Sequence, residues 1–162
     1  MTGRTRNIYL SLGSNLGDRR ENISKAILEL SAALKCAPVK VSSVMETHSW
    51  GFSAPDFLNC TVCFAWNRHY RNTPEKLLKI CKSIEHDLGR DEEMSFDADG
   101  NRIYHSRTID IDILFFGLEK YDSETLTIPH KLMAQRSFVM IPLREIADEC
   151  IISAFPEIFE TN

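Results

Sequence analysis

The sequence predicts an α+β fold, one domain over residues 1–162, with strands and helices in the order β-α-β-β-α-β. Three observations carry that expectation. Four segments alternate apolar and polar residues at every second position, the period of a half-buried strand. Two intervening segments repeat apolar residues three and four apart, the period of an amphipathic helix, and each opens on a capping side chain. No internal repeat, linker or low-complexity tract divides the 162 residues, a length that suits a single core.

Residues 7–14 set Ile8, Leu10 and Leu12 against Tyr9, Ser11 and Gly13, a first strand. Gly13-Ser14-Asn15-Leu16-Gly17-Asp18 is a turn-rich link whose glycines let backbone approach a ligand, without the Lys-Ser/Thr of a P-loop. Asp18 with Glu21 has the pattern of a capping box. Ile23, Ala26, Ile27, Leu30, Ala33 and Leu34 then follow at helical spacing, and Pro38 lies just beyond. Residues 39–46 alternate Val39, Val41, Ser43 and Met45 as a second strand, and a loop over 47–56 holds Trp50-Gly51-Phe52 and Pro55. Residues 57–66 read as a third strand, with Leu58, Cys60, Val62, Phe64 and Trp66 on one face and Phe57 and Asn59 on the other. Thr73-Pro74-Glu75 opens a second helix, whose stripe of Leu77, Leu78, Cys81, Ile84, Glu85 and Leu88 stops at Gly89.

Residues 91–106 form a polar loop with five acidic members (Asp91, Glu92, Glu93, Asp97, Asp99) and an Asp99-Gly100 turn signal. A structureless stretch of that length is usually a lid or a binding loop. The fourth strand, 108–116, places Ile109, Ile111, Ile113 and Phe115 on one face and Thr108, Asp110, Asp112 and Leu114 on the other. Residues 125–130 read as a short extended piece, 132–135 as one helical turn, and 138–147 as a final helix interrupted near its start by Pro142. Phe155-Pro156 and the last residues of the chain read as a tail. The order is that of a ferredoxin-like antiparallel sheet with helices on one face, the first and third strands central and the fourth beside the first. Its core spans about residues 7–147, with a C-terminal extension.

Composition narrows the function. A hydrophobic content of 43% and a charged content of 26% describe an ordinary globular chain. The net charge of −4 argues against a nucleic-acid partner, and no apolar run reaches the length of a membrane span. The basic opening over residues 1–6 leads straight into a strand pattern rather than a secretory signal, so a cytoplasmic protein is expected. Five cysteines, an odd number, fit a reducing compartment. Cys60 and Cys63 form a Cys-x-x-Cys pair, but an offset of three on a strand puts them on opposite faces, as two small apolar residues.

Asp110 and Asp112 are the candidate reactive pair. Two positions apart on a strand, their Cα atoms lie ~6.6 Å apart, near enough to converge on two metal ions ~3.5–4 Å apart. That spacing alone also describes a solvated acidic face. The basic residues Arg90, Arg102, Arg107, His130, Lys131 and Arg136 gather around the pair in sequence despite the acidic total. Carboxylates that hold magnesium, with guanidinium groups for the remaining charge, are what a polyphosphate requires.

Arg107-Thr108-Ile109-Asp110-Ile111-Asp112-Ile113 is the most specific stretch of the chain. It is joined by Leu12-Gly13-Ser14-Asn15-Leu16-Gly17, Phe57-Leu58-Asn59, Glu85 with Gly89-Arg90, and Ile128-Pro129-His130 followed by Arg136 and Phe138. In this order and spacing the chain resembles the 6-hydroxymethyl-7,8-dihydropterin pyrophosphokinases of folate biosynthesis, over about residues 8–147. The resemblance implies transfer of pyrophosphate from ATP to the hydroxymethyl oxygen of the pterin, with AMP released and two Mg2+ ions required; a monomer is expected. It implies Asp110 and Asp112 as the metal ligands, catalytic together with Arg107 and Arg90. ATP contacts fall to Glu85, Tyr104, Arg107, Thr127, His130, Lys131 and Arg136. The pterin would stack between Phe57 and Phe138, with Asn59 reading its edge and Thr47, Ser49 and Trp50 lining the pocket. The chain departs from the family pattern where Tyr104-His105-Ser106 replaces a frequent Trp and His48-Ser49 replaces a proline pair. Two rivals share the features: another two-metal nucleotidyltransferase that releases pyrophosphate, and a non-catalytic ligand-binding module on the same fold.

Overall fold

A computed structural model describes residues 6–48, 56–66, 72–89, 95–96, 98–100, 102–103 and 108–160. The first strand, β1 (Arg6–Ser14), leads into α1 (Arg19–Leu34). Asp18 caps that helix by accepting the Glu21 N–H at 3.1 Å, and Lys35 closes it in the left-handed region, φ 57°. Next come β2 (Lys40–Val41), β3 (Met45–Thr47) and the long β4 (Phe57–Trp66). α2 (Pro74–Asp87) starts on a Thr73 side chain that accepts the Lys76 N–H, with Pro74 pre-set for the first turn. Gly89 comes after it at φ +102°, where a side chain would be strained. β5 (Ser95–Phe96), β6 (Arg102–Ile103), β7 (Asp110–Phe116), β8 (Tyr121–Asp122) and β9 (Thr127–Ile128) precede a 3-10 turn at Met133–Gln135. The chain then turns helical: α3 (Ser137–Ile146), α4 (Glu149–Ala154) and α5 (Pro156–Phe159).

The main sheet runs β2-β4-β1-β7, with β3 also on β4, and each of these pairs is antiparallel. The expected placement is met: first and third strands central, fourth beside the first. One face packs under α1 and α2, where Ile8, Leu10, Leu12, Val62 and Phe64 meet Ala26, Leu30, Leu77 and Cys81. The expected helices on one face give only half of the arrangement. At one end of the other face, Tyr9, Cys63, Leu114 and Phe115 are covered by α3, α4 and α5. Cys60 and Cys63 lie in the two different cores, as their offset requires, and both are unpaired thiols. Burial pushes the Cys63 thiol up to about 11.

Five sequence expectations need correction. The second strand is two pieces, because Ser42 uses its hydroxyl as a backbone surrogate: its Oγ accepts the Thr61 N–H at 2.8 Å. Ser43 then turns away, giving its N–H and hydroxyl to the Glu145 carboxylate. Loop 91–106 contains a hairpin, β5 on β6, with Gly100 at φ +83° in the turn between them. Phe115 does not share the face of Ile113. The β1–β7 register shifts between Tyr9 and Leu10, so Leu114 is an extra residue and both it and Phe115 face the second core, while Phe116 returns to the first. Helix α3 runs through Pro142, which is buried against the core, so one missing N–H bond does not end the helix. The tail is two short helices that bury Ile151, Phe155 and Phe159; Phe155 lies 5.2 Å, centroid to centroid, from Phe115.

No helix of the described residues is long and apolar enough to cross a membrane.

Candidate active site

Past the second core, the sheet face opposite α1 and α2 carries the candidate residues, and the pairing registers lay out this floor in rows. Met45, Asn59, Gly13 and Asp110 form one row across β3, β4, β1 and β7. Thr61, Ser11 and Asp112 form the next. Asp110 and Asp112 are both half-buried here, while Ile109, Ile111 and Ile113 are locked into the helix-side core and fix the direction the carboxylates take.

The Asn59 row is shaped by hydrogen bonding and by what Gly13 lacks. Asn59 is buried, and its Nδ2 donates to Thr47 Oγ1 at 2.8 Å, which leaves the amide oxygen on the Gly13 side. A Cβ on Gly13 would lie 3.2 Å from that oxygen, tighter than ordinary contact, so glycine is what lets the Asn59 amide lie over β1, while the Phe57 ring at 3.6 Å would be in ordinary contact. Beside this floor the link after β1 is tied down: Asn22 Nδ2 donates to Ser14 Oγ and to the Leu16 carbonyl.

A basic wall comes from the stretch after β9. The His130 backbone N–H donates to the Leu114 carbonyl at 3.1 Å, and its Nδ1 accepts the Leu132 N–H at 3.2 Å. That second bond puts the ring proton on Nε2. Burial first, then the charge of Arg136, hold the His130 pKa below its ordinary value, against the pull of Asp110. The imidazole is therefore a neutral donor near neutral pH. The Arg136 guanidinium sits 5.7 Å from the centre of the Phe138 ring at the start of α3. Lys131 is exposed, and the Thr127 hydroxyl donates to Asp122 Oδ1 within the β8–β9 hairpin.

The structure places Glu85 differently from the other candidate ATP contacts. It is fully buried on α2, its Oε2 accepts the Ile111 N–H at 2.9 Å, and its Oε1 lies 3.5 Å from Lys82 Nζ. It supports β7 from the helix side. Arg90, Tyr104, Arg107, Ser49 and Trp50 lie outside the described residues. Sequence patterning does not single out Ser11 or Thr61, whose place beside Asp112 emerges only from strand register.

Two carboxylates in adjacent rows supply hard oxygen donors suited to magnesium. Among the described residues no group of three or more His, Cys, Asp or Glu side chains converges on a metal position.

Comparison with known proteins gives the family of the chain. Residues 9–148 match the family of 7,8-dihydro-6-hydroxymethylpterin-pyrophosphokinase (HPPK). The 2-amino-4-hydroxy-6-hydroxymethyldihydropteridine pyrophosphokinase of Porphyromonas gingivalis is 39% identical over 142 residues, 86% of this chain and 90% of that one. The Bacillus subtilis protein of the same name is 35% identical over 142 residues, 87% and 78% of the two chains. The mitochondrial folate synthesis bifunctional protein of Pisum sativum is 37% identical over 147 residues, 90% of this chain and 26% of that longer one. Among solved structures, an HPPK-DHPS in complex with substrates superposes with a TM-score of 0.61 over 96% of this chain and 44% of that chain. At 16% identity, that likeness speaks for the fold alone. With a matched span that runs from within β1 through β7 to beyond the end of α3, the chain belongs to the 7,8-dihydro-6-hydroxymethylpterin-pyrophosphokinase family.

Proposed function

We propose that this sheet face is where the pyrophosphoryl group of ATP passes to the hydroxymethyl oxygen of 6-hydroxymethyl-7,8-dihydropterin, releasing AMP, as a step of folate biosynthesis. The observation that carries this reading is the row structure. Asp110 shares a row with Asn59 through Gly13, so a carboxylate for the phosphates and an amide for a ring edge flank one narrow strand.

Asp110 and Asp112 would hold two magnesium ions, which when bound neutralise charge on the transferring phosphates. His130, with its proton on Nε2, and Arg136 supply donors to the phosphate oxygens from the wall beside Asp110. Lys131 and Thr127 line the same approach for the nucleotide, and Arg90, Arg107 and Tyr104 add contacts from their positions in the sequence. The acceptor ring stacks between Phe57 and Phe138 and offers its polar edge to Asn59, whose amide is already oriented by Thr47. The family resemblance adds Ser49 and Trp50 to the substrate contacts. Charge complementarity and alignment of the attacking oxygen supply most of the acceleration.

The enzyme acts as a monomer in the cytoplasm. Every assigned role falls to one chain, and five unpaired thiols support a reducing compartment. The test is product analysis with ATP, magnesium and hydroxymethyl-dihydropterin. AMP and a diphosphorylated pterin are expected; release of pyrophosphate would overturn the reading in favour of a nucleotidyltransferase.

A further inference from the structure

Thr61 is wholly buried in the middle of β4, and no described group hydrogen-bonds its hydroxyl. Its main chain is fully engaged, with the N–H given to Ser42 Oγ and the carbonyl accepting the Ser42 N–H. The side chain projects from the face that carries Asn59 and Cys63, one row from Asn59 and directly opposite Ser11, which in turn pairs with Asp112. The hydroxyl therefore lies between the Asn59 row and the second core, on a strand that α3 packs against; α3 also packs on β3 and begins with Ser137 and Phe138. A buried hydroxyl without a partner is costly, and an apolar side chain of the same shape would serve the core better.

We propose that Thr61 and Ser11 form a hydroxyl pair that meets the inner polar edge of the heteroaromatic acceptor, so that Thr61 completes its hydrogen bonding only in the complex. This rests on the pyrophosphokinase reading and extends its acceptor pocket by one row. The pair offers two hydroxyls that can donate or accept, which suits a ring edge carrying both kinds of group. The Thr61 oxygen is shut off from solvent in the free protein, so the bond forms only as neighbouring side chains give way to the ring. Thr61 is in this sense a specificity residue, distinct from the carboxylates that face the phosphates.

Thr61→Val removes the hydroxyl and keeps the branched shape. Its melting temperature should equal or exceed that of the unsubstituted enzyme, because no bond is lost in the free state. Its KM for the pterin should rise about tenfold, the loss of roughly one hydrogen bond, with KM for ATP unchanged and kcat lowered less than twofold. Thr61→Ser should restore the pterin KM. A pterin KM that does not move, or a melting temperature that falls with no change in KM, overturns the inference. Ser11→Ala combined with Thr61→Val should cost little more than either change alone, since the two act as a unit; additive losses overturn the pairing. AMP release by the unsubstituted enzyme tests the pyrophosphokinase reading separately, so failure of one is not mistaken for failure of the other.

Discussion

The carboxylate of Glu85 accepts the main-chain N–H of Ile111 at 2.9 Å, and Ile111 is the residue between Asp110 and Asp112. β7 lies at the end of the main sheet, so this N–H points away from β1, and a helix side chain satisfies it where no further strand does. A buried acid on α2 thus holds the backbone that aims the two acids of the opposite face.

Replacing Glu85 by Leu should therefore damage the site from below. The Ile111 N–H would be left buried and unpaired, at a cost of about 1–3 kcal/mol, and magnesium-dependent ATP binding should weaken. Glu85→Gln keeps an acceptor oxygen and should retain most of both. Thermal melting and a magnesium titration of ATP binding would check the pair of variants; equal affinity in Glu85→Leu would refute the positioning role.

Asp110→Ala and Asp112→Ala should keep the fold, because neither side chain belongs to either core. Each should lower turnover by at least ~100-fold, the scale on which removing one group that stabilises transition-state charge acts. Far-ultraviolet circular dichroism with an AMP-release assay separates folding from chemistry. Unchanged turnover in both variants would leave only the non-catalytic module.

Gly13→Ala tests the acceptor pocket without touching a charged group. The new methyl would sit 3.2 Å from the Asn59 amide oxygen, forcing that side chain to shift, and would meet Phe57 at an ordinary contact of 3.6 Å. Pterin affinity should fall about tenfold, the worth of one hydrogen bond in this range, with ATP affinity held. Fluorescence titration with each ligand measures the two effects independently.

At the far end of the sheet, Asp148 accepts from Tyr9 Oη at 2.7 Å and Asn7 Nδ2 at 3.0 Å while capping α4 through the Ile151 N–H. Burial alone would raise its pKa, but these donors outweigh it and hold the carboxyl below its ordinary value. A depressed acid stabilises the fold above its unfolded pKa, near 4, and loses that contribution as the pH falls through the lower folded value. Melting curves should show stability lost below about pH 4, with the loss shallower in Asp148→Asn. An identical acid profile in the variant would remove Asp148 from the account.

Phe155→Ala should be among the more destabilising core changes, by about 3–5 kcal/mol. Phe155 is buried against Phe115, which also stacks on Phe159 at 6.0 Å, so the truncation opens a cavity between sheet and C-terminal helices. Chemical denaturation at equilibrium gives the value.

Alternation makes β1 and β4 legible to within a residue, and capping side chains locate the starts of α1 and α2. Those signals are local, and so they survive without tertiary context. The bulge at Leu114 is not legible, because Leu114, Phe115 and Phe116 are all apolar and any phase fits them. α4 and α5, of six and four residues, are too short to show a helical period. In the site, Asp110, Asp112, Phe57 and Asn59 can be assigned to faces from spacing alone. The partner of Glu85 and the juxtaposition of Thr61, Ser11 and Asp112 depend on which strands pair and in what register, which no single segment encodes.

The extra residue in β7 also changes what mutation can do to this molecule. Upstream of Leu114 the strand's orientation is held by Glu85 and the isoleucines; downstream it is held by the aromatic packing of Phe115 and Phe116. The bulge is a phase slip between two differently anchored halves of one strand. Repacking around Phe115 can therefore be absorbed locally without rotating Asp110 and Asp112 out of line. Substitutions in α4 and α5 should drift freely in evolution so long as they preserve stability, while the acidic half of β7 stays fixed.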